Sequence, residues 1–473
     1  MLSRTVVCAC SQISRNSYPN VRSPTRSRRS ARMKLLWLLL PLALQVFAHT
    51  LDARAGKSKA PKGFVTTRGT NFVLDGKPFA FVGANSYWLP LLTSQEDVET
   101  TFRSMQKAGI KVLRTWGFNA INGSELAGAL DSGLTYYQVW NGSQWTLNDG
   151  PQGLQRLDKV ISTAGKYGIK VILAFTNNWV GYGGSELYVN WIAGAGKTHD
   201  IFFTDRRIVA SYQRYVKTIV NRYKSSPNIF AWELMNEARC LGDLPAGPNC
   251  VPFSGTISKW YKEQSAFIRN LDPFHMITTG GEGQFTWKNP VKYWLNGQLV
   301  SDYNFNGQAG EDFDGDLALP NIDFGTYHSY PQYWYSDLDK PGSNFTLKAW
   351  GLQWIDYHAK AAKKIGKPVI LEEFGVSGLG KIILVPLLWL GANDAWRVSA
   401  AIEDEQPHTD INYSIMPWQF GQLGLKEKNR LIKYADAIID GASPNDGFAI
   451  FPNQTTIWNI FTSAAKVQNA RSG

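Results

Sequence analysis

From about residue 64 onward, short apolar runs rich in β-branched and aromatic residues alternate with longer stretches whose apolar residues recur every three or four positions. The runs predict strands and the longer stretches amphipathic helices. Eight runs read as strands, at 78–85, 111–117, 169–176, 229–236, 275–280, 322–328, 368–374 and 413–420. The clearest helical spacing lies at 205–223, where Ile208, Tyr212, Tyr215, Val216 and Ile219 share one face. A hairpin-like opening at 64–77, turning at Asp75-Gly76, precedes the first strand. No Ser/Thr/Pro-rich linker and no fixed-period repeat interrupts the pattern, so 56–473 reads as one domain.

Strand followed by helix, eight times over, predicts a parallel sheet in an α/β fold. At roughly 400 residues a closed (β/α)8 barrel with long loops fits better than an open doubly wound sheet. The first strand runs out as Gly83-Ala84-Asn85-Ser86-Tyr87-Trp88, without the Gly-rich turn that cradles a nucleotide phosphate.

Composition supports a large core, with 44% apolar residues and 13% aromatics, and excludes intrinsic disorder. The formal charge of +11 would suggest nucleic acid or a membrane surface, but its distribution argues otherwise. Residues 1–32 hold seven arginines and no acid, +7 of the total. Residues 33–55 hold +1 more, so the remaining chain carries only +3. Met33-Lys34 is followed by the apolar run 35–44 and by Val46-Phe47-Ala48, the layout of a secretory signal peptide and too short to span a bilayer. The expected organisation is therefore a basic upstream extension or gene-model artefact at 1–32, a signal peptide and short pro-region at 33–55, and the (β/α)8 domain at 56–473.

An exported protein meets an oxidising compartment, where Cys240 and Cys250, ten residues apart in a Pro- and Gly-containing loop, are expected to pair; two free thiols are the alternative. Five sequons add glycosylation candidates at Asn122, Asn141, Asn344, Asn412 and Asn453. No metal-ligand spacing stands out. Gly375 to Lys381 has phosphate-loop spacing but continues with Ile382, so the magnesium-binding hydroxyl is missing. Asp312-x-Asp314-x-Asp316 has Leu317 where a calcium loop needs glycine, and reads as an acidic surface loop. His199, His275, His358 and His408 read as ordinary surface or core histidines.

Catalytic groups of such a barrel lie where strands meet the following loops. Here those ends are polar: Arg114-Thr115-Trp116, Asn236-Glu237, His328-Ser329-Tyr330, Glu372-Glu373-Phe374 and Pro417-Trp418. Two carboxylates facing each other across a barrel mouth suit glycoside hydrolysis, one protonating the leaving oxygen and the other attacking or activating water. Residue types alone scarcely separate Glu373 from Glu372, and Glu233 and Glu372 suit a salt-bridge role.

Trp232-Glu233-Leu234-Met235-Asn236-Glu237, His328-x-Tyr330, Glu373-Phe374-Gly375 and Trp418, in this order, resemble glycoside hydrolase family 5. The stretches from Phe81 to Leu89, from Asn236 to Cys240 and from Pro444 to Ile450 are similar to the family's fungal endo-β-1,4-mannanases. The resemblance covers about 62–470. It implies a retaining enzyme without cofactor or metal, with Glu237 as general acid/base and Glu373 as nucleophile. By the same resemblance Arg114 holds the nucleophile ionised, His328 and Tyr330 orient the glutamates, Asn236 donates to the sugar 2-hydroxyl, and Trp418 underlies the cleaved sugar. Trp88, Trp116 and Trp179 are candidates for neighbouring subsites, where flat rings suit the C–H faces of pyranoses.

The expectation is thus a secreted, monomeric endo-β-1,4-mannanase whose partner is mannan, with no nucleic acid and no membrane. The alternatives are a related endo-β-1,4-glucanase or exo-β-mannosidase, or, from another class, a non-catalytic wall-binding protein. Ala238 departs from the family's usual proline but removes no reacting group. The run 382–390, inside 379–391, is expected to be translated non-coding sequence or an unusual insertion.

Overall fold

The computed structural model describes residues 60–335, 337–375, 414–433 and 436–472. The signal-peptide, insertion and Asn412 expectations lie outside these residues, as does His408.

Eight parallel strands form the barrel: β1 (Gly83–Asn85), β2 (Val112–Trp116), β3 (Lys170–Ala174), β4 (Ile229–Glu233), β5 (Met276–Thr278), β6 (Gly325–Ser329), β7 (Val369–Phe374) and β8 (Ser414–Ile415). Strands β1 to β5 pair in chain order, and so do β6 to β8. A parallel bridge between Val82 and Ile415 links β8 back to β1. The Asp323 N–H donates to the Ile277 carbonyl at 2.9 Å, and Thr278 Oγ1 donates to the Phe324 carbonyl at 3.0 Å, joining β5 to β6. The fold is a (β/α)8 barrel.

The strands are shorter than the apolar runs that announced them, because the polar run ends bend into loops. The first run is split: Lys77–Pro78 pairs in a small antiparallel sheet with Val65–Arg68 and Asn71–Leu74, and only Gly83–Asn85 joins the barrel. Asp75 and Gly76 both take positive φ at the tight turn of this sheet, as a two-residue hairpin loop requires. The sheet sends Phe72, fully buried, into the N-terminal end of the barrel, where its ring lies 5.7, 5.2 and 5.3 Å from those of Phe81, Phe230 and Phe324.

Strand alternation sorts the barrel interior into layers. Val112, Ile172, Ala231 and Ile370 join Phe72 in an apolar floor. Two residues further along β2, β4 and β7, the same inward face presents Arg114, Glu233 and Glu372.

Helices cover the outside, among them α1 (Gln95–Lys107), α2 (Leu154–Lys166), α3 (Arg206–Tyr223), α4 (Thr256–Leu271), α5 (Leu347–Ile365) and α6 (Thr455–Ala470). Helix α3 begins where expected because Asp205 caps it, its side chain accepting from the Arg207 N–H at 2.9 Å. Its buried face includes Ile208, Tyr212, Tyr215, Val216 and Ile219, each such burial contributing about 1.5–3 kcal/mol.

Cys240 and Cys250 form a disulfide with Cα atoms 5.2 Å apart. His199, His275 and His358 are fully buried core residues. The acidic stretch 312–316 corrects its sequence reading. It is no surface loop, because Phe313–Leu317 forms a short helix and Asp316 is buried, its carboxyl pushed up to about 7 by desolvation.

Candidate active site

Arg114 organises the barrel mouth from β2. Fully buried, it donates to both Glu233 oxygens through Nε (2.8 Å) and Nη2 (2.7 Å). Its Nη1 donates to Glu373 and, at 3.1 Å, to Asn85 at the end of β1. Nη2 also donates to Asn236 Oδ1 at 2.6 Å. One guanidinium thus ties together the ends of β1, β2, β4 and β7, which its planar fork of five donors permits and a lysine would not.

Glu372 and Glu373 both lie inside the barrel, although adjacent strand residues normally face opposite ways. The cause is an irregularity in the β6–β7 register, where Tyr327 pairs with Leu371 but His328 with Glu373, so Glu372 is the extra residue. Glu372 stays deep, 3.5 Å from Arg114 and 3.6 Å from His328, while Glu373 reaches the mouth and accepts from the Tyr330 hydroxyl at 3.0 Å.

Glu237 arrives in the turn after β4. The Asn236 N–H donates to Thr176 at 2.9 Å and the Glu237 N–H to Gly280 at 2.8 Å, pinning the turn to the ends of β3 and β5. Glu237 is held at φ +53°, a left-handed conformation costing about 1–3 kcal/mol in a non-glycine residue. Gly280 makes room: a Cβ there would sit 2.3 Å from the Met235 carbonyl and 2.5 Å from Glu233 Oε1. The Glu237 carboxylate accepts from Trp179 Nε1 at 2.6 Å and faces His328 Nδ1 at 2.8 Å.

Glu237, His328 and Glu373 therefore converge, with one polar atom of each within 4.8 Å of the others. Burial alone would lower the His328 pKa, but Glu373 first, then Glu237 and Glu372, raise it well above the ordinary value. A protonated imidazole has no lone pair for a metal, so the trio is a poor cation site in this state. Glu237 is drawn down to about 2: burial opposes ionisation, but the hydrogen bond and charge of His328 outweigh it, with help from Arg239 and Trp179. Burial raises Glu373, against the pull of His328 and Arg114. Glu233 is pushed up to about 7 by burial, with Arg114 opposing and Glu372 adding.

An aromatic wall completes the mouth. Trp418, just beyond β8, stacks on Tyr87 at 5.4 Å and 10° and lies 5.9 Å from the Trp116 ring. Trp418 Nε1 donates to Asp446 at 2.7 Å. Trp116 itself carries the Arg114 guanidinium 4.9 Å from its ring centroid. Trp88 departs from the subsite expectation: it is fully buried in the core, so its ring has no open face for a sugar.

Glu237, Asn236, Glu373, Arg114, His328, Tyr330, Trp116 and Trp418 thus share one site, and Trp179 joins it through its hydrogen bond to Glu237. Sequence reasoning missed Asn85, although it ends the first strand, and Tyr87 two residues on. It also missed the buried Arg239–Glu282 ion pair, whose partners lie 43 residues apart and whose guanidinium sits 5.6 Å from the Trp179 ring.

Residues 62–383 match the family model described as GH family 5 beta-mannosidase-like. The chain is 38% identical over 406 residues to mannan endo-1,4-beta-mannosidase F of Aspergillus clavatus, covering 85% of this chain and 77% of that one. It is 34% identical over 440 residues to mannan endo-1,4-beta-mannosidase A of Aspergillus aculeatus, covering 93% and 100%. Among solved structures, the endo-1,4-beta-mannanase of Rhizomucor miehei is similar at 32% identity and a TM-score of 0.68, covering 86% of this chain and 99% of that one. The chain therefore belongs to glycoside hydrolase family 5.

Proposed function

We propose that the protein is a retaining endo-β-1,4-mannanase hydrolysing internal bonds of mannan, galactomannan and glucomannan. The observation that carries this is that Glu237 and Glu373 each bring a carboxylate oxygen to within 4.8 Å of the other at the barrel mouth, a close approach that suits double displacement and leaves no room for the wider gap of about 6.5–9.5 Å that an inverting pair needs. The relatives' mannanase names supply the substrate class.

Glu373 attacks the anomeric carbon while Glu237 protonates the leaving oxygen, giving a glycosyl ester on Glu373. Glu237 then takes a proton from water, whose oxygen attacks the same carbon and releases Glu373. The 2.8 Å hydrogen bond between His328 Nδ1 and Glu237 orients the acid/base and gives its proton a partner between the two steps. Arg114 and Tyr330 hold Glu373 in line, Asn236 serves the 2-hydroxyl, and Trp418 carries the sugar on its face.

Export belongs to the same reading, with 33–55 as signal peptide and 1–32 absent from the working protein. No helix among the described residues is long and apolar enough to cross a membrane. Asn141, Asn344 and Asn453 are exposed acceptors, whereas Asn122 is half-buried and accepts from Trp191 Nε1 at 2.8 Å. The protein acts as a monomer. Separate Glu373→Ala and Glu237→Gln variants test the site: each should fold and lose mannan hydrolysis, and normal turnover in either would refute the assignment.

A further inference from the structure

Beyond Trp418, segments within 423–454 line a half-open pocket of about 530 Å³, within the range of small-molecule sites. Two links tie it to the sugar platform. Asp436, on its wall, accepts from the Tyr182 hydroxyl, and the Tyr182 ring lies 5.6 Å from Tyr87, which stacks on Trp418. Asn445, also on the wall, immediately precedes Asp446, which holds the Trp418 indole.

The lining selects its ligand. Asp436, Asn445 and Gln454 supply a carboxylate and two amides, against an apolar side formed by Leu423, Phe451 and neighbours. The Asn445 and Gln454 oxygens are engaged by backbone N–H groups at 2.9 and 3.0 Å, which leaves their amide nitrogens as donors. Among the described residues no lysine or arginine lines the pocket, so an anionic ligand finds no counter-charge there. Amide donors, one carboxylate acceptor and an apolar face match a neutral hexopyranose, with its hydroxyl rim and C–H faces.

We propose that this cavity is a second carbohydrate site, taking one or two hexopyranosyl units of the polymer whose backbone crosses Trp418. The inference rests on the mannanase reading above. The units come either from the mannan backbone or from a galactosyl branch.

The test uses the full chain with Ala437→Trp, which fills the cavity, and separately Gln454→Glu, which keeps the oxygen serving Phe451 but removes the donor. Losing one hydrogen bond of about 1 kcal/mol raises KM roughly fivefold. That rise is expected on polymer, with hydrolysis of a short aryl β-mannobioside unchanged. A rise on linear mannan identifies backbone units, and a rise confined to galactomannan identifies the branch. Unaltered KM on both polymers for both variants, or equal losses on polymer and short substrate, would overturn the proposal. Retardation of the parental chain in mannan-containing gels, reduced in Ala437→Trp, supports the site independently of turnover. Inactivity of the unsubstituted protein on every mannan would instead refute the mannanase reading.

Discussion

Removing the charge of Arg114 as Arg114→Met probes the electrostatic design of the site most sharply. In the native site the buried carboxylates of Glu233, Glu372 and Glu373 and the partly exposed one of Glu237 face two cations, Arg114 and His328. A unit charge about 4 Å away contributes roughly 4 kcal/mol at an effective dielectric near 20, or about 3 pKa units. Arg114 lowers the Glu373 pKa, so its loss raises a carboxyl already lifted by burial. The nucleophile works only when ionised, and activity is lost as pH falls through its pKa. The acidic limb of kcat/KM should therefore move up by about 2–3 units, with an approximately hundred- to thousandfold loss on the acid side. Stability should fall by about 3–5 kcal/mol, the usual cost of leaving buried charges unpaired. Arg114→Lys, which restores charge without the fork, should recover part of the pH shift and little of the Glu233 geometry. The assay is the pH profile of aryl β-mannobioside hydrolysis, with denaturant unfolding alongside. An acidic limb that stays in place in Arg114→Met would refute the role given to this residue.

Three further outcomes follow from the geometry. Gly280→Ala, with φ +76° and two close oxygens, should cost about 1–3 kcal/mol in unfolding measurements and lower kcat by shifting Glu237. Replacing both Cys240 and Cys250 by serine should cost about 3 kcal/mol, the chain entropy of a ten-residue loop, read from urea midpoints under oxidising conditions. Asp272, drawn down to about 2 because His275 outweighs desolvation, stabilises the fold above its unfolded pKa near 4 and loses this as pH falls toward 2. Asp272→Asn should thus be less stable by about 2 kcal/mol at pH 7 and near parental stability at pH 2, measured by chemical denaturation.

The barrel was legible because each buried strand is a short apolar run and each polar residue at its end marks the mouth. Asp205 announced the start of α3 in the same local way. What the sequence could not show depends on register or on distant partners. The choice between Glu372 and Glu373 turns on an extra residue in the β6–β7 pairing, which neither strand displays alone. Phe72 plugs the barrel floor only because the opening sheet folds beneath it. Trp88 and Trp116 look alike at two strand ends, yet one is sealed in the core and the other underlies Arg114. Asp316 sits in an acidic run that resembles surface, and only the packing of the short helix at Phe313–Leu317 buries it.

The central claim is that Glu237 and Glu373 cleave internal β-1,4-mannosidic bonds with retention. Product analysis on linear mannan, following oligosaccharide sizes and the anomer first released, tests it most directly. The account predicts early appearance of mixed oligosaccharides, released as the β-anomer before mutarotation, and abolished by Glu373→Ala. Release of mannose alone from chain ends, release of the α-anomer, or cleavage of glucan in preference to mannan would contradict it.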